Sequence, residues 1–164
     1  TFAVQIAKAL GAEVTAVCST ANVERARALG ADHVVDYTKE DFTRSGQQFD
    51  LLLDIAGSRP WRETRRVLKP QSHYVIVGAP KGNPVLGPLG FIIKTRLAAL
   101  GASQKIIFFV ASWKREDFLL LKEWFERGQV KPIVEKAYPL EKISEAMRHL
   151  GTGHAKGKIV VTLV

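Results

Sequence analysis

Apolar residues along the chain follow two rhythms, one of helical spacing and one of short unbroken runs, and glycines mark many of the changes. Residues 1–10 (TFAVQIAKAL) place Phe2, Ile6, Ala9 and Leu10 on one helical face, and Gly11 closes the helix. Residues 13–18 (EVTAVC) form an apolar, β-rich run. Asn22 stands where a cap would open a short helix running to Leu29, and Gly30 ends it. Residues 33–37 (HVVDY) predict a second strand. Thr38-Lys39-Glu40-Asp41 then has the form of a capping box that opens a short helical piece. Residues 49–56 (FDLLLDIA) predict a third strand, whose unbroken apolar run suggests burial on both faces.

Pro60 sits where a first helical residue would, with Trp61, Thr64, Val67 and Leu68 as the inward stripe. Residues 74–79 (YVIVGA) read as a fourth strand, 80–90 as a Pro- and Gly-rich loop, 91–100 as a helix and 105–111 (KIIFFVA) as a fifth strand. Ser112 is the expected cap of a helix carrying Phe118, Leu121, Trp124 and Phe125, which stops at Gly128. Beyond it lie a short extended piece (134–137), an amphipathic helix (140–150) and a final strand (158–164).

Strands alternating with helices of roughly 8–15 residues predict a doubly wound α/β domain, in which ligands bind at the carboxyl ends of the strands. The positions that matter are therefore those after Val17, Val35, Leu53, Val77 and Phe109. After the first visible strand comes Cys18-Ser19-Thr20-Ala21-Asn22. In dinucleotide folds an acid in this turn pairs with the 2′-hydroxyl of NAD, and small polar residues leave room for the 2′-phosphate of NADP. This turn has no acid. Ser19 and Thr20 can donate to a phosphate; equally, Ser19, Thr20 and Asn22 can do no more than cap the helix that follows. Gly57 and Gly78 end successive strands, where glycine admits a ligand close to the backbone or simply makes a turn.

Composition narrows the function classes. With 46% hydrophobic and 24% charged residues, the 164-residue chain can bury the core of one domain. No apolar run approaches the ~18 residues that a membrane helix needs, so no membrane role is expected. One cysteine, Cys18, excludes an intramolecular disulfide and fits a reducing cytoplasm. The net charge is +8, but the cations are scattered. Their densest group, Arg59, Arg62, Arg65, Arg66 and Lys69, spreads around a predicted helix as a solvated face, so nucleic acid is not an expected partner. His33, His73, His149 and His154 lack metal-ligand spacing, and a single cysteine cannot build a Cys-rich zinc site. No G-x-S-x-G nucleophile motif is present. Tyr138 and Lys142 match a Y-x-x-x-K spacing, but Pro139 places the tyrosine before the helix rather than on it.

Together, VQIAKALGAEVTAVCSTANVERARALGADHVVDYTKEDF, FDLLLDIAG, VLKPQSHYVIVGAP, the run from IIFFVASWKREDF to EKISEAM, and GHAKGKIVV resemble the cofactor domain of zinc-lacking medium-chain dehydrogenases and reductases, the quinone oxidoreductase or zeta-crystallin-like group. The resemblance covers nearly the whole chain in the family's order. It implies a Rossmann-type doubly wound parallel sheet over residues 1–132 that lacks its first, central strand. Residues 133–164 then form a C-terminal segment returning to a catalytic domain. Glu13–Cys18 and Leu51–Asp54 would flank the missing strand.

The resemblance also places the adenosine ribose or its phosphate near Ser19, Thr20, Asn22 and Tyr37, and the dinucleotide along Ala56 and Gly57. Val77, Gly78 and Ala79 would lie near the nicotinamide ribose, and Phe109 and Val110 near the carboxamide. The implied activity is hydride transfer between a nicotinamide cofactor and a small carbonyl, enone, quinone or alcohol. NADP(H) is expected to be preferred, with NAD(H) admissible, and no metal takes part. Ala21 stands where many relatives carry Arg or Lys, and Arg25 is the expected substitute. No catalytic acid can be named in this chain. Strand 105–111 is the expected edge of a homodimer. The competing expectation is a truncated remnant or interaction module that binds no cofactor alone.

Overall fold

A computed structural model describes residues 1–56, 59–78, 87–153 and 155–163, with residues 87–89 described by their backbone alone. Along the chain come α1 (Phe2–Ala9), β1 (Thr15–Cys18), α2 (Val23–Ala28), β2 (His33–Asp36), β3 (Phe49–Asp54), α3 (Trp61–Thr64), β4 (Leu68–Ile76), α4 (Gly87–Ala98), β5 (Lys105–Phe108), α5 (Arg115–Glu126), β6 (Val134–Pro139), α6 (Ile143–Gly151) and β7 (Lys158–Thr162). All strand pairs are parallel. The fold is thus the expected Rossmann-like alternation of parallel strands and helices. The described residues form two compact units, Thr1–Glu40 with Lys114–Val164, and Asp41–Trp113.

In the first unit β1 pairs with β2, and β6 pairs with β7 across α6. The helical stripe of α1 includes one polar residue, Gln5, and it is buried. Its amide accepts from the Lys131 backbone N–H at 2.8 Å and donates to the Lys131 carbonyl at 3.0 Å. A buried amide is tolerable only with such partners, and here it clips α1 to the segment after α5. Lys8 reaches from the last turn of α1 to Asp32 at 2.8 Å, just before β2.

In the second unit the sheet order is β3-β4-β5, with Leu52 opposite Tyr74 and Tyr74 opposite Ile106. Successive crossovers of one hand place α3 and α4 on the same face. Trp61, Leu68, Tyr74 and Ile76 form the core there, with Leu52, Phe91, Ile106 and Phe108 packed against it. The other face carries Leu51 and Leu53, which stay 56% and 43% exposed. Burial of β3 on both faces, expected from its apolar run, is therefore not found, because both helices of this unit cover one side. Among the described residues, β1 has one ladder partner, β2, and β3 has one, β4, so these two strands are not paired with each other.

Three helix starts differ from expectation. Asn22 precedes α2, but its side chain makes no cap bond and donates instead to Ser19 Oγ at 3.3 Å. Asp41, the last residue of the expected capping box, is itself the cap, accepting from the Thr43 N–H and hydroxyl. α5 starts after Lys114 rather than at Ser112, with Glu116 and Asp117 in its first turn to complement the helix dipole. The early part of β4 holds Gln71 at φ 62°, a conformation glycine adopts at lower cost, and the Ser72 hydroxyl closes the turn on the Lys69 carbonyl.

Candidate functional site

The expected site residues fall at carboxyl strand ends in both units. In the first unit the parallel register sets Cys18 opposite Asp36, so the turn after β1 meets the end of β2, and the Tyr37 N–H donates to the Cys18 carbonyl at 3.0 Å. This pairing introduces a residue that the sequence reading did not select. Asp36 is buried, and its carboxylate accepts from Thr20 Oγ1 at 2.5 Å and from the Thr38 N–H and hydroxyl at 3.0 and 2.7 Å, with Lys39 at 3.7 Å. The Thr20 hydroxyl bond, followed by those from Thr38, outweighs desolvation and pulls the Asp36 carboxyl down to about 2.

Thr20, expected to donate to a phosphate, thus gives its proton to Asp36. Ser19 Oγ accepts from Asn22 and keeps its own proton to give. Tyr37 is 55% exposed at the end of β2. Arg25, the expected substitute cation, donates to the Lys156 carbonyl. The Cys18 thiol is pushed up by burial and then by Asp36, so it is no thiolate nucleophile at neutral pH.

The Asp36 shift has a pH consequence. A carboxylate whose folded value lies below its ordinary 3.8 contributes stability that is fully present above that value. The contribution is lost as pH falls through the window from 3.8 to about 2. Asp36→Asn is expected to flatten the acid limb of the stability profile in that window. Denaturant titrations from pH 5 to pH 2 check this, and parallel slopes for the two proteins would count against it.

In the second unit Ala56, Val77, Gly78, Phe109 and Val110 gather at the ends of β3, β4 and β5. The Val77 and Phe109 N–H groups extend the ladder by donating to the Asp54 and Ile76 carbonyls, both at 2.9 Å. Val77 and Phe109 are about half exposed and Val110 is 84% exposed. A cavity of about 200 Å³ lies between α4 and these ends, lined among others by Val77, Phe91, Ile92 and Phe109, and none of the described residues that line it is charged. Gly57 and Ala79 lie outside the described residues.

Gly78 has a packing reason for being glycine. A β-carbon there would sit 2.0 Å from the Ile55 carbonyl oxygen, so the backbone itself approaches β3 closely. Beneath that contact, Asp54 accepts from the Tyr74 hydroxyl at 2.8 Å and from the Ala56 N–H at 3.2 Å. Among the described residues no cluster of three or more His, Cys, Asp or Glu side chains could hold a metal. Tyr138 lies on β6 and bonds His149 at 3.0 Å, whereas Lys142 is in the turn after it, so the Y-x-x-x-K pair does not share a helix.

Residues 29–161 match the family model described as zinc-binding dehydrogenase. The chain is 34% identical to the mitochondrial NAD(P)H oxidoreductase RTN4IP1 of Mus musculus, over 100% of this chain and 45% of that protein. It is likewise 34% identical to the trans-enoyl reductase pgmF of Aspergillus terreus, over 99% and 48%. The quinone oxidoreductase structure from Coxiella burnetii superposes with a TM-score of 0.81 over 99% of this chain and 49% of that one; at 22% identity, this likeness speaks for the fold. The chain spans about half the length of the curated relatives it matches. On the matched residues and these identities, the chain belongs to the zinc-binding dehydrogenase family of medium-chain oxidoreductases.

Proposed function

We propose that the protein carrying this chain is an NAD(P)(H)-dependent oxidoreductase that moves a hydride to or from a small carbonyl, enone, quinone or alcohol without zinc. One observation carries the reading. Parallel strands of a family member end in an open apolar floor, Val77, Phe109 and Val110, and the described residues that line the adjoining cavity are uncharged. Such a floor suits an uncharged nicotinamide ring, and the exposed Tyr37, whose N–H meets the Cys18 carbonyl, suits the adenosine end. The residues present therefore fit a dinucleotide.

When bound, the dinucleotide supplies the hydride. This chain's residues orient it and keep water from the reacting face. Ser19 would donate to the ribose or its phosphate, with NADP(H) preferred and NAD(H) admissible. Thr20 and Asn22 hold the turn around Ser19 through Asp36 and Ser19 itself. Ala56 and Gly57 would follow the dinucleotide, Val77, Gly78 and Ala79 the nicotinamide ribose, and Phe109 and Val110 the carboxamide. No side chain among the described residues is assigned as the catalytic acid. Residues 1–132 would act as the cofactor domain and 133–164 as the return to a catalytic domain, in a cytoplasmic location suggested by the single Cys18.

The longest natural form of the protein should bind NADPH in a fluorescence titration, reduce an enone or quinone, and carry well under one zinc per chain. The 164 residues alone should do neither the binding nor the reduction. A full-length protein that binds no dinucleotide would favour the remnant or interaction module instead. We also propose a homodimer through strand 105–111, which pairs with β4 alone among the described residues. Phe108 packs in the core beneath Arg96, so a charge at Ile107, on the uncovered face, disturbs such an interface without opening the core. Ile107→Lys should therefore give monomers on sizing, and an unchanged dimer would place the interface elsewhere.

A further inference from the structure

We propose that Tyr74 and Asp54 are positioning residues for the dinucleotide: a buried phenol fixes a strand-end carboxylate, and that carboxylate fixes the turn along which the dinucleotide lies. The inference rests on the cofactor reading above and adds two residues to it.

Tyr74 lies in the middle of the sheet, 0% exposed and stacked on Trp61 with ring centroids 5.8 Å apart. Leu52 pairs with Tyr74 and Asp54 with Ile76, so all four side chains stand on the covered face. The phenol crosses the ladder diagonally to Asp54 Oδ2 at 2.8 Å. Packing alone would be served by phenylalanine, since a buried hydroxyl costs stability unless it is bonded. Here the bond leads to the strand end.

Asp54 Oδ1 accepts from the Ala56 N–H at 3.2 Å, and the Asp54 carbonyl accepts from Val77 N–H at 2.9 Å. One residue therefore ties together Ala56 and Val77, two of the positions expected to meet the cofactor. The same short turn is clamped from above by Gly78, whose backbone leaves no room for a β-carbon beside Ile55. Burial and the neighbouring carboxylate raise the phenol above its ordinary range, so it keeps its proton and remains a donor at neutral pH.

Two variants in the longest natural form of the protein test the assignment. Tyr74→Phe keeps the ring on Trp61 and removes the donor. Asp54→Asn removes the charge and leaves one amide oxygen for two donors, so either the Tyr74 hydroxyl turns to accept from the new N–H or the Ala56 N–H loses its acceptor. Each should raise the dinucleotide Kd, read by direct fluorescence titration, roughly five- to tenfold, on the scale of one lost intramolecular hydrogen bond. Amide exchange at Ala56 should accelerate in both. The KM for the dinucleotide should rise while kcat at saturation changes less than about twofold, and the double variant should be no weaker than the weaker single one.

Wild-type binding together with variant Kd values within about twofold of it, or strictly additive losses with unchanged Ala56 exchange, would overturn the positioning role and leave the cofactor reading standing. If Tyr74→Phe does not fold, Asp54→Asn decides by the same readouts. A wild-type protein that binds no dinucleotide overturns the cofactor reading and this inference with it.

Discussion

Gly78→Ala is expected to destabilise the protein by about 3 kcal/mol or more and to abolish what dinucleotide binding it has. The added methyl carbon would stand 2.0 Å from the Ile55 carbonyl oxygen and 3.0 Å from its carbon. No flexible side chain is there to swing aside; the obstacle is the backbone of a neighbouring strand end. Relief requires the ends of β3 and β4 to part by more than an ångström. That would break the Val77 N–H bond to the Asp54 carbonyl and pull on the Ala56 turn. Gly11→Ala is the matched control. Gly11 has φ +80° with nothing within 4 Å, so its cost is conformational only, about 1–2 kcal/mol. Denaturant midpoints of the two variants separate the causes. Equal losses would mean that the strand ends yield easily and that Gly78 is glycine for another reason.

Gly78 also marks how far the chain could be read without its structure. Its place at a strand end was legible, because a β-rich run followed by glycine is a local signal. Its reason was not, because the Ile55 carbonyl belongs to a strand more than twenty positions away. The alternation of elements was legible for the same local cause, since apolar spacing reports one element at a time. What escaped was set by pairing. The turn Ser19-Thr20-Ala21-Asn22 contains no acid, yet parallel register brings Asp36 to Thr20, whose hydroxyl donates its hydrogen bond there. The HVVDY run did display that aspartate at a strand end; it gains meaning only beside β1. Gln5 broke an apolar stripe and would be read as solvent-facing, but it is buried because its amide closes on the Lys131 backbone. β3 read as covered on both sides because a run of leucines carries no record of which face its crossover helices take.

The same acid sharpens the cofactor prediction. In the full-length protein NADPH is expected to be favoured over NADH by about tenfold in kcat/KM, the effect of one charge-assisted hydrogen bond of about 1.5 kcal/mol. Ser19 is the hydroxyl of this turn with a proton left to give, so its contribution stands nearly alone. Ser19→Ala should therefore bring the two cofactors to within about twofold of each other. Three features hold the preference down. Arg25 is engaged with the Lys156 carbonyl rather than with the turn, and Ala21 offers no cation. Asp36 adds a negative charge that three donors and Lys39 satisfy locally but do not remove. Ala21→Arg should accordingly raise the NADPH preference about tenfold more, through the pairing of a guanidinium with a phosphate. Asp36→Asn should shift discrimination the same way by a smaller factor, by removing a like charge and freeing Thr20 in part. Steady-state kinetics with both cofactors on these four proteins decide the matter. A wild type that uses NADH equally well or better, with Ser19→Ala unchanged, would place the ribose away from this turn. If Asp36→Asn instead favoured NADH, a buried aspartate one strand over would be supporting the phosphate site through Thr20 rather than opposing it.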